Sequence, residues 1–123
     1  MNNSNNYAKP VYDLEERTLN FAKEVRQFIK TLPKNNINAE DGKQVVRSSG
    51  SVGANYIEAN EALSKKDFLM RLKICRKEAK ESTYWLKLLK ETNPLSYKSK
   101  IQNLIDESIE LVKIFSSIIE KSK

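Results

Sequence analysis

The chain has 123 residues, a net charge of +6 and one cysteine. That length carries one core-forming domain, a lone cysteine makes no internal disulfide, and the sequence holds no run of about 18 apolar residues that would span a membrane. Histidine is absent, which excludes Ser-His-Asp and Cys-His pairs and histidine zinc sites, and leaves any acid–base work to carboxylates, lysine or tyrosine.

The opening M-N-N-S-N-N-Y-A-K-P has no apolar stretch of the kind a signal peptide needs. Residues 1–11 read as a disordered polar tail and residues 12–123 as one helical domain, with a cytoplasmic location expected. Only three glycines and three prolines occur, and no useful period-2 alternation is present. The first helix is expected to begin at Asp13, which stands at capping-box spacing from Glu16. Leu14, Thr18, Phe21, Val25, Phe28 and Leu32 then step by three and four, which keeps one stripe against a partner helix. Pro33 is expected to end it.

The second helix is expected from Asn38 or Ala39. Its stripe of Val45, Ser49, Val52, Tyr56, Ala59 and Leu63 runs through both Gly50 and Gly53, which predicts one continuous helix. Ser64 and Asp67 give a second capping signal, and Phe68, Leu72, Cys75, Ala79, Ser82, Leu86 and Leu89 form the third stripe. Asn93-Pro94 stops that helix. The fourth carries Ile101, Leu104, Ser108, Leu111, Phe115 and Ile118, flanked by Ile105, Val112 and Ile119. Four amphipathic helices with short connections predict an all-α, antiparallel up-down-up-down four-helix bundle. Cys75, in an apolar register, reads as a small buried hydrophobe.

Several features lie outside this seam. Ser48, Ser49, Gly50, Ser51, Gly53 and Ala54 concentrate small residues in one stretch, although each interior glycine costs about 1 kcal/mol relative to alanine. Such a run makes sense where another backbone comes close. Leu69, Tyr84, Trp85 and Leu88 on the third helix, and Ile57 on the second, add apolar surface beyond one stripe; either self-association or a broad core stripe accounts for them. Ser49, Gly50, Gly53, Leu69, Trp85 and Leu88 are therefore candidates for helix packing or oligomer contact. Gly50-Ser51-Val52-Gly53 also matches a GXXG loop, but no strands accompany it, and no Gly-Lys-Ser/Thr follows to make a P-loop.

Residues 65–90 hold nine Lys or Arg against three acids, an excess of six that equals the net charge of the whole chain. Lys66, Lys73, Lys77, Lys80, Tyr84 and Lys87 fall on one ridge opposite the apolar stripe at about 100° per residue. A cationic ridge tracks a phosphate backbone, and an aromatic within it can stack on a base. A solvated outer face is the plainer reading of the same residues. Glu58/Glu61 and Glu78/Glu81 have a spacing seen in di-metal bundles, but those sites also need histidine. Salt bridges to Arg71, Arg76 or Lys65 are the expected fate of these carboxylates. No cofactor or metal is expected.

The run from Gln44 to Asn55 with Glu58-Ala59 resembles the second helix of the bacterial four-helix-bundle family named for 23S rRNA intervening sequences. Ser64-Lys65-Lys66-Asp67-Phe68, Arg71-Leu72, Lys77-Glu78-Ala79-Lys80-Glu81 and Tyr84-Trp85-Leu86 resemble its third helix. The resemblance covers roughly residues 12–120 and implies an antiparallel bundle assembled as a ring-like homopentamer. The accessory variability determinant proteins of diversity-generating retroelements look like the same bundle, and they are basic pentamers that bind nucleic acid and a reverse transcriptase. The family name marks a gene location, and the resemblance supplies no catalytic residues. The leading expectation is a non-enzymatic oligomer that binds RNA or DNA through the third helix, with Arg71 and Arg76 bridging subunits or pairing with Glu78 and Glu81. The alternative is a protein-interaction scaffold with no nucleic-acid binding.

Overall fold

A computed structural model describes residues 14–123, which form four α-helices and one 3-10 turn. Helix α1 spans Leu14–Ile29, α2 Asn36–Asn60, α3 Lys65–Thr92 and α4 Lys98–Ser122, with the 3-10 turn at Leu95–Tyr97. No strand occurs among the described residues. The expected tail and the expected cap at Asp13 lie outside them.

Local chemistry sets the helix limits. Asn35, in extended conformation, accepts the Asn38 N–H on its side chain at 2.8 Å and starts α2. That start is two to three residues earlier than the apolar stripe indicated, because the stripe marks burial and not the cap. Ser64 accepts the Asp67 N–H at 3.0 Å and starts α3, as its capping spacing predicted. Helix α1 stops at Ile29, four residues before Pro33; the chain then leaves it through a turn that still buries Leu32. Helix α2 passes unbroken through Gly50 and Gly53. Its stripe does not extend to Leu63, which is 100% exposed, because α2 has already ended at Asn60.

The core is one apolar cluster drawn from all four helices, including Phe21, Phe28, Val45, Leu72, Leu86, Leu111 and Phe115. The all-helical bundle follows from these four stripes sharing one interior. Helix α3 packs against both α2 and α4, while α1 lies mainly on α2. Along that last seam, an added Cβ at Gly53 would meet Thr18, one at Gly50 would meet Arg26, and one at Gly42 would meet Ile29.

Polar side chains fasten the helices at specific points. Ser48 and Ser82 join their hydroxyls at 2.8 Å between α2 and α3, and Thr83 and Ser108 do so at 2.6 Å between α3 and α4. Arg17 grips Glu107 with two hydrogen bonds of 2.7 and 2.9 Å between α1 and α4. This bidentate contact raises the Arg17 guanidinium above its ordinary value. Asn38 and Asn93 exchange amide hydrogen bonds of 2.8 and 2.9 Å, and Asn38 also donates to the Pro33 carbonyl. The connectors at Pro33 and Pro94 are thereby tied together. Among the described residues, no buried side-chain polar atom lacks a hydrogen-bond partner.

Candidate nucleic-acid interface

Helix α3 is long enough to present two opposite faces along its whole length. Leu72, Cys75, Ala79, Ser82, Leu86 and Leu89 are buried on one. Lys66, Lys73, Lys77, Lys80, Tyr84 and Lys87 are all exposed on the other. At a rise of 1.5 Å per residue the ridge from Lys66 to Lys87 runs roughly 32 Å.

The two kinds of cation on α3 are used differently. Arg71 donates to the Asn55 carboxamide on α2 at 3.2 Å. Arg76 acts on Glu120 of α4, whose carboxyl sits below its ordinary value chiefly because Lys123 hydrogen-bonds it, with Arg76 adding attraction. Lys90 donates to Gln102 at 2.6 Å. Of the ridge lysines, only Lys77 has an acid within reach, Glu78 at 3.8 Å; Lys66, Lys73, Lys80 and Lys87 have no ion-pair partner among the described residues.

The Glu-x-x-Glu pair at Glu78 and Glu81 is satisfied from a helix the sequence did not point to. Arg47 of α2 donates at 3.1 Å to both carboxylates. This corrects the expectation that Arg71, Arg76 or Lys65 would pair with them. Helical spacing offers partners on the same helix, whereas Arg47 is more than thirty positions away and arrives through packing. Glu58 and Glu61 are exposed at the end of α2. Among the described residues, no group of three or more Cys, Asp or Glu comes together in a way that could hold a metal ion.

The six packing candidates separate by environment. Ser49 is buried and back-bonds to the Val46 carbonyl at 3.2 Å, while Gly50 and Gly53 admit side chains of α1. Leu69 and Trp85 are half-buried against the core, and Leu88 is half-buried as well. Tyr84 is 58% exposed and meets the Trp85 ring edge-on, with centroids 5.1 Å apart. Burial pushes the Cys75 thiol up to about 12, which leaves it protonated and inert at neutral pH.

Several surface hollows lie between or along the helices, and two of them adjoin the residues singled out in the sequence. One, of about 570 Å³, follows α1 and α2 and is lined by Leu19, Ala22, Ala54 and Ile57. The other, between α3 and α4, is bordered by the ridge residues Lys80, Tyr84 and Lys87. Sequence periodicity found the ridge but not this second hollow, because its other wall comes from α4.

The model of the 23S rRNA-intervening sequence protein family matches residues 12–117. The chain belongs to that family. A crystal structure of a protein of unknown function, from the S23 ribosomal protein family of Bacteroides thetaiotaomicron, is 34% identical to it. The superposition has a TM-score of 0.75 and covers 85% of this chain and 96% of that one. No functionally curated protein matches the chain. The family membership accords with the motifs in α2 and α3 that carried the resemblance, and several of those residues hold the helices together: Ser48 on Ser82, Gly53 on Thr18, and Arg47 on Glu78 and Glu81.

Proposed function

We propose that this protein is a non-enzymatic, antiparallel up-down-up-down bundle that works as a cytoplasmic homo-oligomer, a pentamer by family resemblance, and binds RNA or DNA through α3. The observation that carries the nucleic-acid reading is the unpaired lysine ridge. A surface cation that serves the fold meets a partner on the bundle, as Arg17 meets Glu107, Arg47 meets Glu78 and Glu81, and Arg71 meets Asn55. Lys66, Lys73, Lys80 and Lys87 meet no such partner among the described residues, and they lie in line with Lys77 and Tyr84. Aligned, uncompensated charge of this kind releases counterions when it meets phosphate.

The antiparallel arrangement is supported by the α1–α2 seam, where Thr18, Arg26 and Ile29 fall opposite Gly53, Gly50 and Gly42 in descending order. Self-association is supported by the apolar α1–α2 groove, where Leu19 stands 68% exposed. That same groove favours a second reading, in which the oligomer is a scaffold for another protein and the lysines only solubilise it.

Native mass spectrometry of protein purified without nuclease, followed by binding titrations, tests both. A pentamer retaining nucleic acid supports the proposal. Reversing Lys73, Lys77 and Lys80 to Glu should weaken binding and lower the slope of log K against log salt by about 2 for a single strand. Unchanged binding by the triple variant would remove the ridge from the interface. A partner retained at high salt would favour the scaffold.

A further inference from the structure

The hollow between α3 and α4 gives the ridge a chemical preference. It measures about 340 Å³, at the small end of the roughly 300–1,000 Å³ common for ligand pockets. Ile109 and Val112 of α4 supply its apolar side, Tyr84 its aromatic side, and Lys80 and Lys87 flank Tyr84 along α3. Thr83, also in the lining, has its hydroxyl engaged by Ser108 and the Ala79 carbonyl. No carboxylate lines the hollow. Its lining therefore combines an apolar surface, an aromatic ring and two cations.

We infer that this hollow receives an unstacked base, and that the ligand class of the ridge is single-stranded nucleic acid. This deepens the proposed nucleic-acid reading and rests on it. A duplex keeps its base faces stacked inside and offers only phosphates, sugars and base edges, none of which uses an apolar hollow beside a ring. A single strand offers both a base face and flanking phosphates, so one nucleotide satisfies Tyr84 and the apolar side while its neighbours reach Lys80 and Lys87. Lys80 and Lys87 are seven residues apart, roughly 10 Å along the helix, which leaves room between them for the base. Tyr84 meets Trp85 edge-on, so its ring is supported on one side before any ligand arrives.

Fluorescence anisotropy with three probes decides the matter: a labelled single strand, the duplex of the same sequence, and the same strand carrying abasic sites. The wild-type protein should bind the single strand more tightly than the other two at equal salt. Tyr84→Ala should weaken single-strand binding about tenfold, within the usual range for losing one stacked base, and leave duplex binding unchanged. Tyr84→Phe, which keeps the ring, should restore it. Lys80→Glu with Lys87→Glu should weaken every probe. Equal binding of strand and duplex, or a Tyr84→Ala variant that binds the single strand like wild type, overturns the base-pocket inference; if the lysine variants are still impaired in that case, the ridge reading survives. Failure of the wild-type protein to bind any of the probes overturns both.

Discussion

Gly50 and Gly53 face the same neighbouring helix, yet alanine at the two positions should move stability in opposite directions. Either change relieves the helix-propensity penalty of glycine, about 1 kcal/mol. At Gly53 the new methyl would stand 2.8 Å from Thr18 Oγ1 and 3.2 Å from its Cβ. Thr18 is buried, is β-branched, and has its hydroxyl bonded to the Leu14 carbonyl at 2.7 Å and the Glu15 carbonyl at 3.1 Å. It cannot turn aside without losing those bonds, so α1 and α2 must part. Overpacking of this kind costs about 1–3 kcal/mol, which exceeds the propensity gain and leaves Gly53→Ala destabilised by roughly 1 kcal/mol. At Gly50 the nearest atom is Arg26 Nη2, at 3.0 Å, the far end of a flexible chain. Displacing Nη2 sacrifices its exposed hydrogen bond to the Val46 carbonyl while the chain can keep Nη1 on the Ala22 carbonyl, and Gly50→Ala should gain about 0.5 kcal/mol. Urea unfolding followed by circular dichroism measures the difference, at one fixed protein concentration so that any association contributes equally to both variants. A gap of about 1–2 kcal/mol, or roughly 5 °C in Tm, is expected. If Gly53→Ala proves as stable as Gly50→Ala, the close seam at Thr18 is not what that glycine serves.

Two further outcomes follow from buried chemistry. Arg47→Met leaves the Glu78 carboxylate, 6% exposed, with only Lys77 at 3.8 Å; it should cost about 1–3 kcal/mol, part of which Glu78→Gln recovers in the double variant, as read by chemical denaturation. Cys75 should resist a thiol reagent at pH 8 in the folded protein and react fully in guanidinium. Because its proton is held more tightly in the folded state than in the unfolded one, its contribution to stability is present below the unfolded thiol value and fades as pH rises from there towards about 12. Urea midpoints of wild type and Cys75→Ala between pH 8 and 10 should therefore converge as the pH rises.

The sequence made the helices legible because each carries a stripe in the 3.6-residue period and the start of α3 carries the capping spacing of Ser64 and Asp67, whereas the Asn35 cap of α2 went unread behind a polar connector. It misled at Leu63, where the stripe continues arithmetically past the point at which α2 has already turned. It also left open what the small-residue run contacts. The structure divides that run, with Ser48 meeting Ser82 of α3 and Gly50 and Gly53 meeting α1. The lysine ridge was readable from spacing alone, since an exposed face needs no partner to be located. Arg47 with Glu78 and Glu81, Arg17 with Glu107, and the hollow over Ile109 and Val112 were not, since each joins residues that only the packing of separate helices brings together.

The contrast between anchored and unanchored cations on α3 has a consequence for substitution. Arg71 is anchored to Asn55 of another helix, so altering it disturbs the packing of α3 on α2. Lys66, Lys73, Lys80 and Lys87 have no such ties, and their identities can drift without a folding penalty. A handful of outward side chains can therefore be exchanged while the interior stays fixed. Of the residues that carry the family resemblance, Ser48, Gly53, Arg47 and Glu78 tie one helix to another, whereas Lys66, Lys77, Lys80 and Tyr84 stand on the outer face of α3, so the shared shape rests on the first group and any shared surface on the second.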